Sequence, residues 1–152
     1  MACVHVRCWQ QTYRGLMTDA VLDDPGLVAV RERFWRSAMT DERYRKNRVA
    51  VAERDGSLIG IAMSGPPLDA DRAWARQLYV LYVVTTDHGT GAGLALLEAV
   101  VDPEESVALW VADPNPRAQA FYRKHGFSAD GTAQVDGGLR KIRMVRVGPP
   151  RR

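Results

Sequence analysis

Apolar residues fall along this chain of 152 residues in stretches of helical spacing that alternate with continuous, strand-like runs. Residues 2–17, ACVHVRCWQQTYRGLM, place Val6, Trp9 and Tyr13 on one face of a predicted helix that Gly15 would end. Such aromatics suit a packed core; the alternative is that the polar tips of Trp9 and Tyr13 line a pocket. Asp23-Asp24-Pro25 reads as a helix start. The helix it opens runs to about Ala38, with Leu27, Val30, Phe34 and Trp35 inward. The charged stretch 40–47 predicts a further helical turn, where Asp41 and Glu42 face solvent or a cationic substrate. Residues 48–54 and 58–64 read as short strands joined by a tight turn at Asp55-Gly56-Ser57. Gly65-Pro66-Pro67 ends the second strand, and 68–75 is a polar connection.

Residues 77–84 are a near-continuous apolar run, which predicts a central strand. Glycines at 89, 91 and 93 follow, and then Leu94, Leu97 and Val101 at helical spacing. Asp102-Pro103 breaks that helix, and 106–112 reads as a second buried strand. Asn115 suits an N-cap and Pro116 the first helical position. The helix runs to His125 with Ala118, Phe121 and Tyr122 inward, and Gly126 stops it. Phe127 begins a short strand, 131–138 is a loop, and 139–147 is a final strand before a basic tail. The order α-α-β-β-β-α-β-α-β-β predicts a mixed α/β sheet in one domain.

Composition adds little that is unusual: 46% apolar and 26% charged residues describe an ordinary globular chain with room for a core. The net charge of +3 gathers near the C-terminus, at Arg140, Lys141, Arg143, Arg146, Arg151 and Arg152. That cluster is a solvated strand face and tail, or an anion-attracting patch. No helix offers a basic face interleaved with aromatics, so a nucleic-acid partner is disfavoured. Two cysteines, Cys3 and Cys8, make a disulfide framework improbable and point to a reducing, cytoplasmic setting. The histidines lack metal-ligand spacing, so no metal is expected. Neither a membrane-length apolar run nor the apolar core of a signal peptide is present, so no membrane partner is expected.

The chemistry concentrates after the central strand. A glycine-rich turn entering a helix leaves backbone N–H groups unpaired beside the positive end of the helix dipole, and glycines let a phosphate come close. A Walker loop is excluded because no Gly-Lys-Ser/Thr follows. A dinucleotide fingerprint is disfavoured because the third glycine is misplaced.

His88-Gly89-Thr90-Gly91-Ala92-Gly93, taken together with NPRAQAFYRKHGF from Asn115 to Phe127, resembles the two motifs of the GNAT superfamily of N-acetyltransferases. The second motif matches at Asn115, Ala118, Phe121, Tyr122, Gly126 and Phe127, and the resemblance covers roughly residues 2–146. It implies a single-domain, mixed, mostly antiparallel sheet flanked by helices, over residues 2–147, with 148–152 as a basic tail. It implies acetyl-CoA as cosubstrate and direct transfer of the acetyl group to a primary amine. Backbone N–H groups of His88, Gly89, Thr90, Gly91, Ala92 and Gly93 would hold the CoA pyrophosphate. Val83 would pair with pantetheine, inserted like a strand where the central strand splays from its neighbour. Asn115 would contact the CoA arm. The Leu81 N–H would polarise the acetyl carbonyl, and Tyr122 would act as general acid to the leaving sulfur. Trp9, Tyr13, Gln77 and Tyr79 would stand on the acceptor side.

Three departures from the family pattern matter. His88 replaces the usual Gln or Arg, which implies weaker and more pH-sensitive CoA binding. Gln77 stands where some members carry a glutamate base, so the amine proton would leave through waters held by Gln77, Tyr79 or the Trp9/Tyr13 helix, or through an acid not identified in the sequence. The helix begins almost at Met1, so the usual first strand is missing, and an uncovered edge would invite a second copy into a homodimer. A non-catalytic acyl-CoA-binding module is the alternative. Antibiotic amines, polyamines, amino acids and protein amines all remain open as acceptors.

Overall fold

Six strands form one sheet in the order β1-β2-β3-β4-β6-β5. The strands are β1 (Arg48–Arg54), β2 (Ser57–Gly65), β3 (Arg76–Val83), β4 (Val107–Ala112), β5 (Ser128–Asp136) and β6 (Leu139–Arg146). The computed structural model describes residues 1–71 and 73–150. All neighbouring pairs are antiparallel except β3 and β4 at the centre. Helices α1 (Ala2–Tyr13), α2 (Asp19–Leu22) and α3 (Leu27–Thr40) precede the sheet, α4 (Ala92–Val100) links β3 to β4, and α5 (Pro116–Lys124) follows β4. Among the described residues no strand precedes α1, and β1 is an edge strand paired only with β2.

Strand alternation sends side chains to two cores. Ala62 of β2 joins Leu78, Leu109, Leu97, Val100, Tyr122 and Phe127 on the face that α4 covers. Its neighbours Ile61 and Met63 turn the other way, where Trp35, Ala2 and Val80 meet under α1 and α3. Each fully buried aliphatic side chain contributes roughly 1.5–3 kcal/mol, so both faces hold their helices firmly.

Between β2 and β3 the alternation changes phase once. Met63 pairs with Val80 and Ser64 with Leu78, which leaves Tyr79 as an extra residue, a bulge in β3. Leu78 therefore packs on the α4 side, whereas Val80 and Tyr82 pack on the α1/α3 side. The same place marks the end of pairing with β4, whose last pair is Leu78↔Leu109. A bulge bends its strand, and β3 leaves its parallel neighbour here.

Several expectations need correction. Helix α1 stops at Tyr13 and does not reach residue 17, although Gly15, with a left-handed φ of 86°, does mark its end as expected. On α3 the buried residue is Trp35, whereas Val30 and Phe34 are exposed. They face a cleft and not the core. Residues 131–136 are not loop but the second half of β5, interrupted by a register shift between Ala129 and Ala133. Glycine and aspartate at 130–131 supply that irregularity while reading as a loop. The basic C-terminal cluster is largely paired. Arg143 is buried, bonded to Asp71 and Asp130 and stacked 4.5 Å over the Trp74 ring; Arg140 pairs with Asp113 and Lys141 with Asp136. Arg151 and Arg152 lie outside the described residues. Among the described residues no helix is long and apolar enough to cross a membrane.

Candidate active site

Past Leu78 the edge of β3 facing β4 has no strand partner. The Val84 N–H donates to the Ile59 carbonyl at 2.8 Å, so Val84 points toward β2. Backbone groups alternate along a strand, so Tyr82 also points toward β2, and Leu81 and Val83 point into the gap. The amides expected to meet the acetyl and pantetheine groups are therefore the unpaired ones. The Val83 carbonyl is engaged: His88 Nε2 donates to it at 2.8 Å, which puts the imidazole proton on Nε2. His88 thus closes the end of β3 with its side chain, and its own N–H is spent on the Thr85 carbonyl.

The turn that follows is stiffened from below. A 3₁₀ turn at Thr85–Asp87 carries the buried Asp87 carboxylate, which pairs with Arg54, while Thr90 Oγ1 donates to the Asp87 carbonyl at 2.6 Å. Gly89 and Gly91 hold φ values of 77° and 89°, a region where other side chains are strained. Gly91 is the N-cap of α4, so the N–H groups of Ala92, Gly93 and Leu94 enter the helix without an acceptor one turn back. At Gly93 a Cβ would come within 3.3 Å of the Phe121 ring, which shows how closely α4 and α5 approach. Asn115 caps α5, its side-chain oxygen accepting from the Ala118 N–H at 3.3 Å; only its Nδ2 remains free. Gln119, not anticipated as a site residue, ties that helix to the end of β4 by donating to the Ala112 carbonyl.

Across the sheet lies a cleft of about 900 Å³, bounded by α1, α3, β3, β4 and the β5–β6 hairpin. Trp9, Tyr13, Gln77 and Tyr79 all line it. Tyr82, unanticipated, is its hub. The Trp9 indole N–H donates to the Tyr82 hydroxyl at 3.1 Å, and the Tyr13 hydroxyl shares a 3.2 Å hydrogen bond with it. Trp9 and Tyr13 are thus half-buried with polar tips turned to the cleft, not core aromatics. Burial raises the pKa of both tyrosines, so their hydroxyls stay protonated. Gln77 and Tyr79 are tied to the 66–68 loop: Gln77 Oε1 accepts from the Leu68 N–H at 2.8 Å, and the Tyr79 hydroxyl donates to the Pro66 carbonyl.

His5, also unanticipated, lines the cleft with its Nδ1 accepting from the Trp35 indole at 3.1 Å. Burial, helped by the Arg31 charge, lowers its pKa to about 3. A neutral imidazole bonded this way offers an N–H at Nε2 and cannot take a proton from an amine there. Among the described residues no Asp or Glu lines the cleft. Tyr122 lies on the α4 side, buried edge-on between Phe121 and Phe127 at centroid distances of 5.4 and 5.6 Å. Burial first, and then Tyr13, push its pKa well above the tyrosine range.

The family model of the acetyltransferase (GNAT) domain matches residues 21–147. The chain is 28% identical over 97% of its length to the Mycobacterium tuberculosis protein named "Probable N-acetyltransferase Rv2775", covering 84% of that protein. It is 31% identical to the Escherichia coli peptidyl-lysine N-acetyltransferase YjaB over 58% of this chain and 53% of that one. Among solved structures, the PaiA N-acetyltransferase of Thermoplasma acidophilum in complex with coenzyme A superposes with a TM-score of 0.66. It shares 19% identity, over 93% of this chain and 89% of that one.

Proposed function

Because the chain belongs to the GNAT acetyltransferase family and is an acyltransferase of that family, we propose that it moves the acetyl group of acetyl-CoA to a primary amine by direct attack. The observation that carries this reading is the continuity of one feature. The unpaired amides of Leu81 and Val83 run straight into the glycine turn and the open first turn of α4. Acetyl-CoA supplies an acyl group activated as a thioester. The amides of 89–93, with the α4 dipole behind them, suit its pyrophosphate. The Val83 N–H suits the pantetheine arm, and the Leu81 N–H the carbonyl oxygen on which charge develops. Asn115, already a helix cap, has its Nδ2 to offer the arm.

The amine enters from the cleft on the other sheet face. Its nitrogen bonds to the acetyl carbon as the carbon–sulfur bond breaks, and the sulfur leaves as thiolate. Tyr122 donates a hydrogen bond to that sulfur. Complete proton transfer is uphill by about 2 kcal/mol even between an ordinary tyrosine and an ordinary thiol, and burial of Tyr122 makes it more so. Tyr122 therefore stabilises the leaving thiolate while keeping its own proton. With no carboxylate on the described cleft wall, the amine reacts in its neutral form, and its proton leaves to solvent along the Tyr82–Tyr13 hydroxyl pair. Calorimetric titration with acetyl-CoA, followed by a CoA-release screen over amines, tests the reading. A chain that binds neither acetyl-CoA nor CoA would end it.

A further inference from the structure

The acceptor cleft is unusual in its charge. Arg31, Arg33, Arg43 and Lys141 stand on its wall, and among the described residues no Asp or Glu does. Two of these cations have carboxylate partners outside the wall, Arg43 with Asp41 and Lys141 with Asp136, and Arg33 is exposed to solvent. Arg31 differs from them. It is half-buried, its guanidinium 4.6 Å over the Trp9 ring and 5.7 Å from Phe34, and it makes no ion pair or hydrogen bond to another described residue. Among the other enclosed arginines, Arg48, Arg76 and Arg143 are bonded to carboxylates, and Arg146, over the Phe127 ring, donates to the Asp102 carbonyl.

A guanidinium held over an indole by a cation–π contact still has its N–H groups to satisfy, and those form a fork matched to a carboxylate. Burial disfavours the charge of Arg31, so an arriving anion would relieve that cost. The neighbouring His5 is held neutral and adds no competing charge. The position is also suitable. Trp9, under Arg31, is bonded to Tyr82, the residue after Leu81, so Arg31 lies one indole away from the strand where transfer is proposed. The wall is also rich in aromatics, Tyr13, Phe34, Tyr44, Tyr79, Tyr82 and Trp110, set among aliphatic and amide side chains.

We propose that Arg31 anchors a carboxylate of the acceptor, so that the substrate class is a small amino carboxylate with a flat apolar body, such as an aromatic amino acid, and not a polycationic amine. A cleft of about 900 Å³ has room for a molecule of that size. This rests on the proposed transfer reaction for the place of the amine, while the carboxylate site is readable by binding alone.

The probes are L-phenylalanine, L-phenylalaninamide and spermidine, each titrated calorimetrically and each offered as acceptor with acetyl-CoA. Phenylalanine is expected to bind roughly tenfold or more tightly than its amide, as expected for a charge-assisted bidentate contact. Arg31→Gln should erase that difference while leaving acetyl-CoA affinity unchanged, and Arg31→Lys should keep part of it. Circular dichroism of both variants checks that the fold is retained. Equal or tighter binding of the amide, a preference for spermidine, no binding of phenylalanine, or a preference surviving in Arg31→Gln would each overturn the proposal. Turnover that favours spermidine would leave the transfer reaction standing and remove the carboxylate anchor. Carboxylate-selective binding without any CoA release would keep the anchor and remove the reaction.

Discussion

The two faces of the sheet at β3 use different materials for their sites. On the α4 face the groups available to a ligand are backbone amides: the strand edge at Leu81 and Val83, then the turn and the start of α4. On the α1/α3 face they are side chains, brought together by contacts between residues far apart, such as Trp9 and Tyr82, 73 positions apart. A backbone site tolerates side-chain change and depends on local conformation. A side-chain site can be altered one residue at a time, so specificity can vary on one face while the other is maintained.

The largest expected effect lies under the side-chain face. His5 is held at about 3 against an ordinary 6.5, so between those values the unfolded chain binds more protons than the folded one. Its contribution is present in full above pH 6.5 and is lost as pH falls toward 3, up to on the order of 4 kcal/mol at the bottom of that window. Urea midpoints measured from neutral to acid pH should therefore fall, and His5→Gln, which keeps an acceptor for Trp35, should flatten that part of the profile. A variant with the wild-type slope would show that His5 does not titrate in this way.

At the seam between the faces, Tyr122→Phe should lower kcat by roughly tenfold to a hundredfold with little change in acetyl-CoA affinity. Unchanged kcat would take Tyr122 out of the reaction. On the acceptor side, Tyr82→Phe leaves Trp9 and Tyr13 without their shared partner. A loss of roughly tenfold in kcat/KM for the amine is expected, with acetyl-CoA binding within about twofold. If both ligands weaken together, the two faces are not separable. The smallest effect is expected from His88→Ala, which frees the Val83 carbonyl: about fivefold weaker CoA binding, one hydrogen bond's worth, with the amine KM unmoved. A change in amine KM alone would place His88 on the wrong side of the sheet.

Much of the α4 face was legible from short-range pattern. The apolar run of β3, the glycines at 89 and 91, and Asn115-Pro116 at the start of α5 are features set within a few residues, and each appears where its pattern put it. His88 was the exception: its identity marked a departure from the family motif, but only the fold shows its ring turned back to Val83. The α1/α3 face was read less well. Val30 and Phe34 carry the spacing of core residues yet line a cleft, because helical periodicity reports a common face without saying what it meets. Tyr82 was lost within an apolar strand where any aromatic reads as core.

The sequence alone determined the order of helices and strands apart from the short α2, together with the left-handed glycine turn and the N-capped helix after β4, because each depends on dihedral preferences and hydrogen bonds within one turn of chain. Tertiary structure decided the bulge at Tyr79, and with it which face each later residue of β3 presents and where β3 parts from β4. It also decided that Arg31 and Tyr82 share a cleft with Trp9. Those outcomes depend on pairing register and on packing between distant segments, where the shift of one residue turns a side chain to the opposite face.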